Sequence, residues 1–338
     1  MKDRDTDQEI YETFLKDSMN EINRKYSLSE EDQQKIVKIG KNQARLTNIM
    51  ISIAILLLII PAMTLMTYSY YGFGGRADKL IDVAANTIYV TEPNMSLEEM
   101  EIEDDIGFFS MDILFDVYKR IGKEDYKAGD YDIHFGLDNP TKVKKNYTLE
   151  RPLPDTPSPE TEVLIHPDAI LRFDPKEEWN MLSHLPDGTV AEIYVSFTAL
   201  MDPDKVRQLI PKEVDLRWLA VDTGLEAKQM NKEEQPITAI GYPAQIDSTT
   251  WSPFNGNDQS NEEVFMDILS QLSKNEEIAE TVANKNLDIP ERLKFINKNG
   301  INVYGAVITG PTTELRKLQQ MKEIRAMKVG EVKLWNWK

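Results

Sequence analysis

Most of this chain alternates between apolar and polar positions, but one long, mainly apolar stretch carries no charge at all. From Leu46 the sequence meets no charge until Arg76, and the centre of that run, Ile49 to Met66, reads IMISIAILLLIIPAMTLM. A helix rises about 1.5 Å per residue, so Ile49 to Tyr71 would reach roughly 34 Å, enough to cross about 30 Å of hydrocarbon. A buried core helix is normally shorter and keeps a polar face. A cleaved leader places its apolar region near the N-terminus, followed by small residues. Here residues 1–45 precede the run, and Tyr68, Tyr70 and Tyr71 follow it. The pattern predicts one retained transmembrane helix over 46–71, with Pro61 tolerated inside it. The three tyrosines are expected to flank the membrane as an interfacial aromatic belt.

The tail before the span reads as two helices. From Thr6 to Lys25, Ile10, Phe14, Leu15, Met19 and Ile22 recur near the helical period, and charge fills the other face. Tyr26 to Ser29 breaks the pattern. Ser27 with Glu30, or Ser29 with Asp32, then caps a second helix that runs from Glu30 into the membrane. A forty-five-residue tail is too short to bury its own core, so the first stripe must dock on something else. Membrane-surface helices carry a Lys/Arg-rich polar face. This one carries Asp3, Asp5, Asp7, Glu9, Glu12, Asp17 and Glu21. That favours a protein partner, and Ile10, Phe14, Leu15 and Ile22 are its candidate contact residues.

Basic residues set the expected orientation. Lys35, Lys38, Lys41 and Arg45 crowd the N-terminal flank, and the other flank offers Arg76 and Lys79. Positive-inside bias places the N-terminus in the cytoplasm and the C-terminal bulk outside. Lys38, Lys41 and Arg45 are the membrane-flanking cations, and their bland role is to meet anionic headgroups.

Beyond the span the pattern mixes periods. Asn86–Thr91 (NTIYVT), Tyr131–Gly136 and the Trp335-Asn-Trp337 end read as strands, and Phe108–Arg120 as a buried helix or strand. Arg151–Pro159 holds four prolines and reads as an extended linker or wrapping loop. Ala191–Gly224 and Ile301–Trp337 resemble one another weakly: strand, Asp-Pro or Gly-Pro break, short helix, strand. Between them lie a helical stretch, Asn261–Asn284, and a second, Ile289–Asn299. The reading is an α+β fold of repeated β-α-β units of the split type. The expected divisions are a tail (1–45), a span (46–71), a membrane-proximal region with the proline-rich linker (72–159), and an α+β domain (160–338).

Composition narrows the chemistry. The net charge of −18 opposes nucleic acid as a partner. Cysteine is absent, which removes disulfides, Cys-ligated zinc and thiol catalysis, and leans towards a Gram-positive envelope. The acidic run Glu98–Asp105 lacks the glycine turn of a calcium loop and reads as a solvated face. His134, His166 and His184 are far apart in sequence. No catalytic motif, dinucleotide fingerprint or phosphate loop is found. The expectation is a non-enzyme with no metal and no cofactor.

The span ending YYGFGG, the stretch Gly305-Ala-Val-Ile-Thr-Gly-Pro-Thr312, and Val329-Gly-Glu-Val-Lys-Leu-Trp-Asn-Trp337 together resemble the sigma factor regulator family. Its members are single-span membrane anti-sigma factors of Gram-positive bacteria. The resemblance covers roughly Lys35–Ile121 and Trp179–Trp337. It implies that the tail sequesters an extracytoplasmic-function sigma factor and that the outer part releases it on an envelope signal. An unknown extracellular ligand and the lipid bilayer would then be the other partners. The tail lacks the cysteines of zinc-binding anti-sigma domains, so its contact residues rest on amphipathicity alone. Two rivals stay open: an envelope receptor or adhesion protein with a single anchor, and a membrane-tethered enzyme of unfamiliar type.

Overall fold

The computed structural model describes residues 3–26, 29–97, 103–154, 158, 160–231, 234–245, 252–255 and 258–337. Ser27, most of the acidic run at 98–105 and part of the proline-rich segment fall outside them, and the Ile10 side chain is likewise not described. The chain divides into two compact units, residues 1–63 and residues 64–338.

The first unit holds α1 (Asp3–Tyr26) and most of α2 (Glu30–Gly72). Of the two candidate caps, Ser29 is in place. The Asp32 amide donates to Ser29 Oγ at 3.1 Å, and Gln33 N donates to the Ser29 carbonyl at 3.0 Å. Glu30, Glu31 and Asp32 then lie in the first turn, where the helix dipole favours acids. The helix continues through Pro61 without a break.

The second unit begins with the last turns of α2, followed by α3 (Arg76–Thr91). The connection needs two consecutive left-handed residues, and Gly74 (φ 78°) and Gly75 (φ 65°) supply them. α3 overturns the strand expected at NTIYVT. Its β-branched residues lower helix propensity only slightly, and burial outweighs that cost here. Val83 to Thr91 are buried without a break. Their hydroxyls are satisfied within the helix: Thr87 Oγ1 donates to Val83 O and Thr91 Oγ1 to Thr87 O, both at 2.7 Å.

A first antiparallel sheet follows. It contains β1 (Met95–Leu97), β2 (Glu103–Ile106), β3 (Ser110–Ile121), β4 (Glu124–Gly136) and β5 (Asn139–Tyr147). The order is β1-β3-β4-β5, with β2 also pairing β3. β3 alternates strictly, turning Met111, Ile113, Phe115 and Val117 into the core. The Phe108–Arg120 ambiguity thus resolves as a strand.

Next come α4 (Pro175–His184), β6 (Thr189–Met201), α5 (Pro203–Leu209), β7 (Asp215–Val221), β8 (Gly241–Pro243), α6 (Asn261–Leu272), α7 (Glu276–Ala283), α8 (Ile289–Asn299), β9 (Val303–Pro311), α9 (Thr312–Leu315) and β10 (Ile324–Leu334). The second sheet runs β10-β6-β9-β7-β8 with every neighbour antiparallel. β6 and β7 therefore flank β9 in parallel, joined through α5, and β9 and β10 flank β6, joined through α9. The helical stretch expected over Asn261–Asn284 is two helices. Ser273 N and the Asn275 amide close α6 on the Leu269 and Gln271 carbonyls.

Both faces of the second sheet are covered, so β9 is buried along its whole length. One face joins a core shared with the first sheet, α3 and α6. On the other, Tyr194, Trp218, Tyr304 and Val307 are covered by Leu153, Val163 and Leu164. The proline-rich segment thus wraps the sheet. The core crosses residue 160, so the boundary expected there does not separate compact units.

The Trp335-Asn-Trp337 end is not a strand. Pairing stops at Leu334, which is 81% exposed, after a last bond from Trp335 N to Gly188 O. The chain then crosses to the β3–β4 turn. Asn336 accepts from Lys123 N at 3.0 Å and donates to Ile121 O at 2.8 Å. Gly122 (φ 70°) makes room, because a Cβ there would overlap the Asn336 side chain.

Candidate partner-binding helix and membrane junction

On α1, the side chains of Phe14, Leu15 and Ile22 are exposed, at 71%, 44% and 58%. Tyr11 and Met19 extend the same side of the helix, which advances about 100° per residue. Large apolar side chains in water lose the free energy that burial would return, roughly 1.5–3 kcal/mol each. The stripe is therefore a surface suited to an apolar partner.

On α2, Lys38, Lys41 and Arg45 are exposed at i, i+3 and i+7, on one side of the helix. From Leu46 through Ile60 every side chain is exposed, and none of the most apolar eighteen-residue window is buried. An uncovered surface of isoleucine and leucine along this length suits hydrocarbon and not water. α2 is a membrane anchor, the one helix among the described residues long and apolar enough to cross a bilayer.

The tyrosines do not act as one belt. Tyr68 is exposed, Tyr70 is partly covered and Tyr71 is fully buried. The Tyr71 hydroxyl donates to Leu137 O at 2.9 Å, and Thr67 Oγ1 accepts from Phe109 N at 3.0 Å. Arg76 stacks on the Tyr70 ring at 4.0 Å and pairs with Asp138 at 3.5 Å. The end of α2 is thus fastened to the turns before β3 and after β4. Sequence reasoning missed Thr67, Phe109 and Leu137, because the contacts join positions tens of residues apart and no local pattern marks them.

The second unit buries several charges in satisfied networks. Glu92 lies between Lys145 (2.9 Å) and Lys285 (3.0 Å). Burial would raise its pKa, but the two ammonium groups outweigh that and hold it at about 2. Arg292 pairs with Glu226 at 2.7 Å, equally buried. Beside the wrapping segment is a small cavity of about 70 Å³, lined among others by Leu153, Glu162, Val163, Gln229, Ile237 and Thr238. Burial pushes the Glu162 carboxyl up to about 7, against a hydrogen bond from Gln229 Nε2 at 2.9 Å. The Thr238 hydroxyl is buried without a hydrogen-bond partner among the described residues. The cavity offers an apolar body and two polar anchors to a small ligand.

The histidines remain apart. His134 meets Asp112 at 2.5 Å, His166 is buried 3.7 Å from Asp222, and His184 ends α4. Among the described residues no group of three or more potential metal ligands occurs.

Two family descriptions match the chain: "sigma factor regulator N-terminal" over residues 34–126 and "sigma factor regulator C-terminal" over residues 182–331. A relative from Bacillus subtilis (strain 168), described as "Probable anti-sigma-M factor YhdL", is 30% identical over 336 residues, covering 97% of this chain and 91% of the relative. The chain belongs to the sigma factor regulator family. The N-terminal region of this sigma factor regulator takes in α2, the junction and the first sheet through the β3–β4 turn. The C-terminal region takes in most of the second sheet. Neither includes α1, so the stripe lies outside both. No solved structure matches the chain.

Proposed function

We propose that this sigma factor regulator is a membrane-anchored anti-sigma factor. The N-terminus is cytoplasmic, α1 binds an extracytoplasmic-function sigma factor, and residues 64–338 respond outside to an envelope signal. The observation that carries the reading is the exposed stripe of Phe14, Leu15 and Ile22 on a helix tethered to a membrane span. The family membership supports it, as does the description of the Bacillus relative as a probable anti-sigma factor. The tail gains its packing only on binding, so the complex can be tight and still be reversed.

Release requires that an outer event favour one of two states unequally. The cavity at Glu162 and Thr238 is our candidate place for a small extracellular ligand. α2 is the candidate transmitter, since it is one helix from the Ser29 cap to the outer unit. The test is co-purification of the full chain, extracted in mild detergent, with extracytoplasmic-function sigma factors from its own cell. A stoichiometric sigma factor that is lost on deleting residues 1–26 supports the proposal. A chain that brings down none contradicts it and favours the receptor reading, and one that keeps the factor without α1 contradicts the role of α1.

A further inference from the structure

We infer that the two turns fastened to the end of α2 dip into the outer face of the bilayer, so that the first sheet stands on lipid through Phe108 and Leu137. Three independent observations lead there.

The first is depth. About 30 Å of hydrocarbon takes roughly 20 helical residues, so a core that begins after Arg45 ends near Leu65. Thr67 lies about 3 Å beyond that boundary and Tyr71 about 9 Å. Phe109 N is bonded to Thr67 and Leu137 O to Tyr71. Both turns therefore sit at headgroup depth or below.

The second is exposure. Phe108 is 47% exposed and Leu137 44%, while Phe73, in the α2–α3 connection, is 77% exposed. Leu65, Met66 and Tyr68 remain exposed on the same stretch of α2. These exposed apolar side chains are carried by the end of α2, the connection after it and the two turns fastened to it.

The third is backbone conformation. Phe109 (φ 50°) and Leu137 (φ 58°) both hold left-handed geometry, and Leu137 N donates to Phe109 O at 3.0 Å. Turns in water place glycine, asparagine or aspartate at such positions, and a large apolar residue there is strained. Two strained apolar turn residues, bonded to each other beside a membrane helix, have a use in a medium that rewards apolar tips. Arg76 pairs with Asp138 at 3.5 Å, and the His134 ring meets the Asp112 carboxylate. Aromatic and aliphatic tips with paired charges above them suit the boundary between acyl chains and headgroups.

The chain has no cysteine, so single-cysteine labelling is unambiguous. Full-length protein in nanodiscs of phosphatidylglycerol and phosphatidylethanolamine would carry an environment-sensitive fluorophore at Phe108→Cys, Leu137→Cys, Tyr68→Cys or Glu124→Cys. Glu124 opens β4 at the far end of the β3–β4 hairpin, roughly 40 Å away at about 3.3 Å per residue. Lipids bearing a nitroxide on the upper acyl chain should quench the labels at 68, 108 and 137 and spare the label at 124. Quenching at 68 without quenching at 108 and 137 would show that the turns stay in water. A label at 68 that escapes quenching would overturn the depth argument itself. Should Phe108→Cys melt below the wild type, Leu137→Cys and a Phe73→Cys label decide between the same outcomes.

Discussion

Lys119 on β3 and Glu192 on β6 form a fully buried ion pair, 3.0 Å apart, that joins the two sheets of the second unit. The Tyr194 hydroxyl lies 2.7 Å from the ammonium, and Asn94 donates to the carboxylate at 2.8 Å. Burial alone would lower the lysine pKa, but Glu192 outweighs it and the pKa is raised. Removing one member strands the other, which typically costs about 3–5 kcal/mol, whereas replacing both with apolar residues is often near neutral. Lys119→Met should therefore lower the melting temperature of the second unit far more than Lys119→Met combined with Glu192→Leu. Equal losses in single and double variants would mean that shape, not charge, sets the cost.

Glu162 should make stability depend on pH in a particular direction. Its carboxyl titrates at about 7 when folded, against 4.5 for an ordinary glutamate. The folded state thus holds this proton more tightly than the unfolded state. Its contribution is fully present below about 4.5 and declines as pH rises through about 7, by at most a few kcal/mol. Glu162→Gln should remove that decline. The difference in melting temperature between variant and wild type should widen from pH 5 to pH 8 in the variant's favour. A difference that does not change with pH would show that the carboxyl is not held in the apolar setting described.

The folding unit should be larger than residues 160–338. Besides the Lys119 pair, Trp218 Nε1 donates to Tyr89 O at 3.2 Å, and Asn336 holds the β3–β4 turn. A 76–338 fragment should melt cooperatively, and a 160–338 fragment should lose cooperativity or melt well below it. Equal transitions, followed by circular dichroism, would restore a boundary near 160.

What the sequence made legible depended on how local the physics was. α2 could be read because an uncharged run of this length has no other solvent. The end of β4, Tyr131–Gly136, could be read as a strand, while Phe108–Arg120 left helix and strand open until the alternating burial of β3 decided it. α3 did not, because its β-branched residues imitate a strand until the Thr87 and Thr91 hydroxyls find carbonyls one turn back. The end at Trp335 alternates like a strand, yet Asn336 is drawn away to a turn more than 200 positions earlier. The amphipathic stripe of α1 was readable from spacing. The partner we propose for it is a separate protein, which spacing alone does not name.

Orientation should follow the basic flank at Lys35, Lys38, Lys41 and Arg45. On intact cells stripped of wall, added protease should digest residues beyond Gly75 and spare an epitope at residue 1. Loss of the N-terminal epitope with the residues beyond Gly75 intact would reverse the topology.

The central claim is that the α1 stripe restrains a sigma factor. The most direct measurement is the activity of that factor's target promoters in cells carrying full-length Phe14→Asp or Leu15→Asp at wild-type protein levels. A charge forced into an apolar contact should cost at least ~2 kcal/mol of binding, a loss of about thirtyfold. The account predicts promoters switched on without any envelope signal, and no change from Lys16→Asp on the charged side of the same helix. Repression that survives both Phe14→Asp and Leu15→Asp would contradict it.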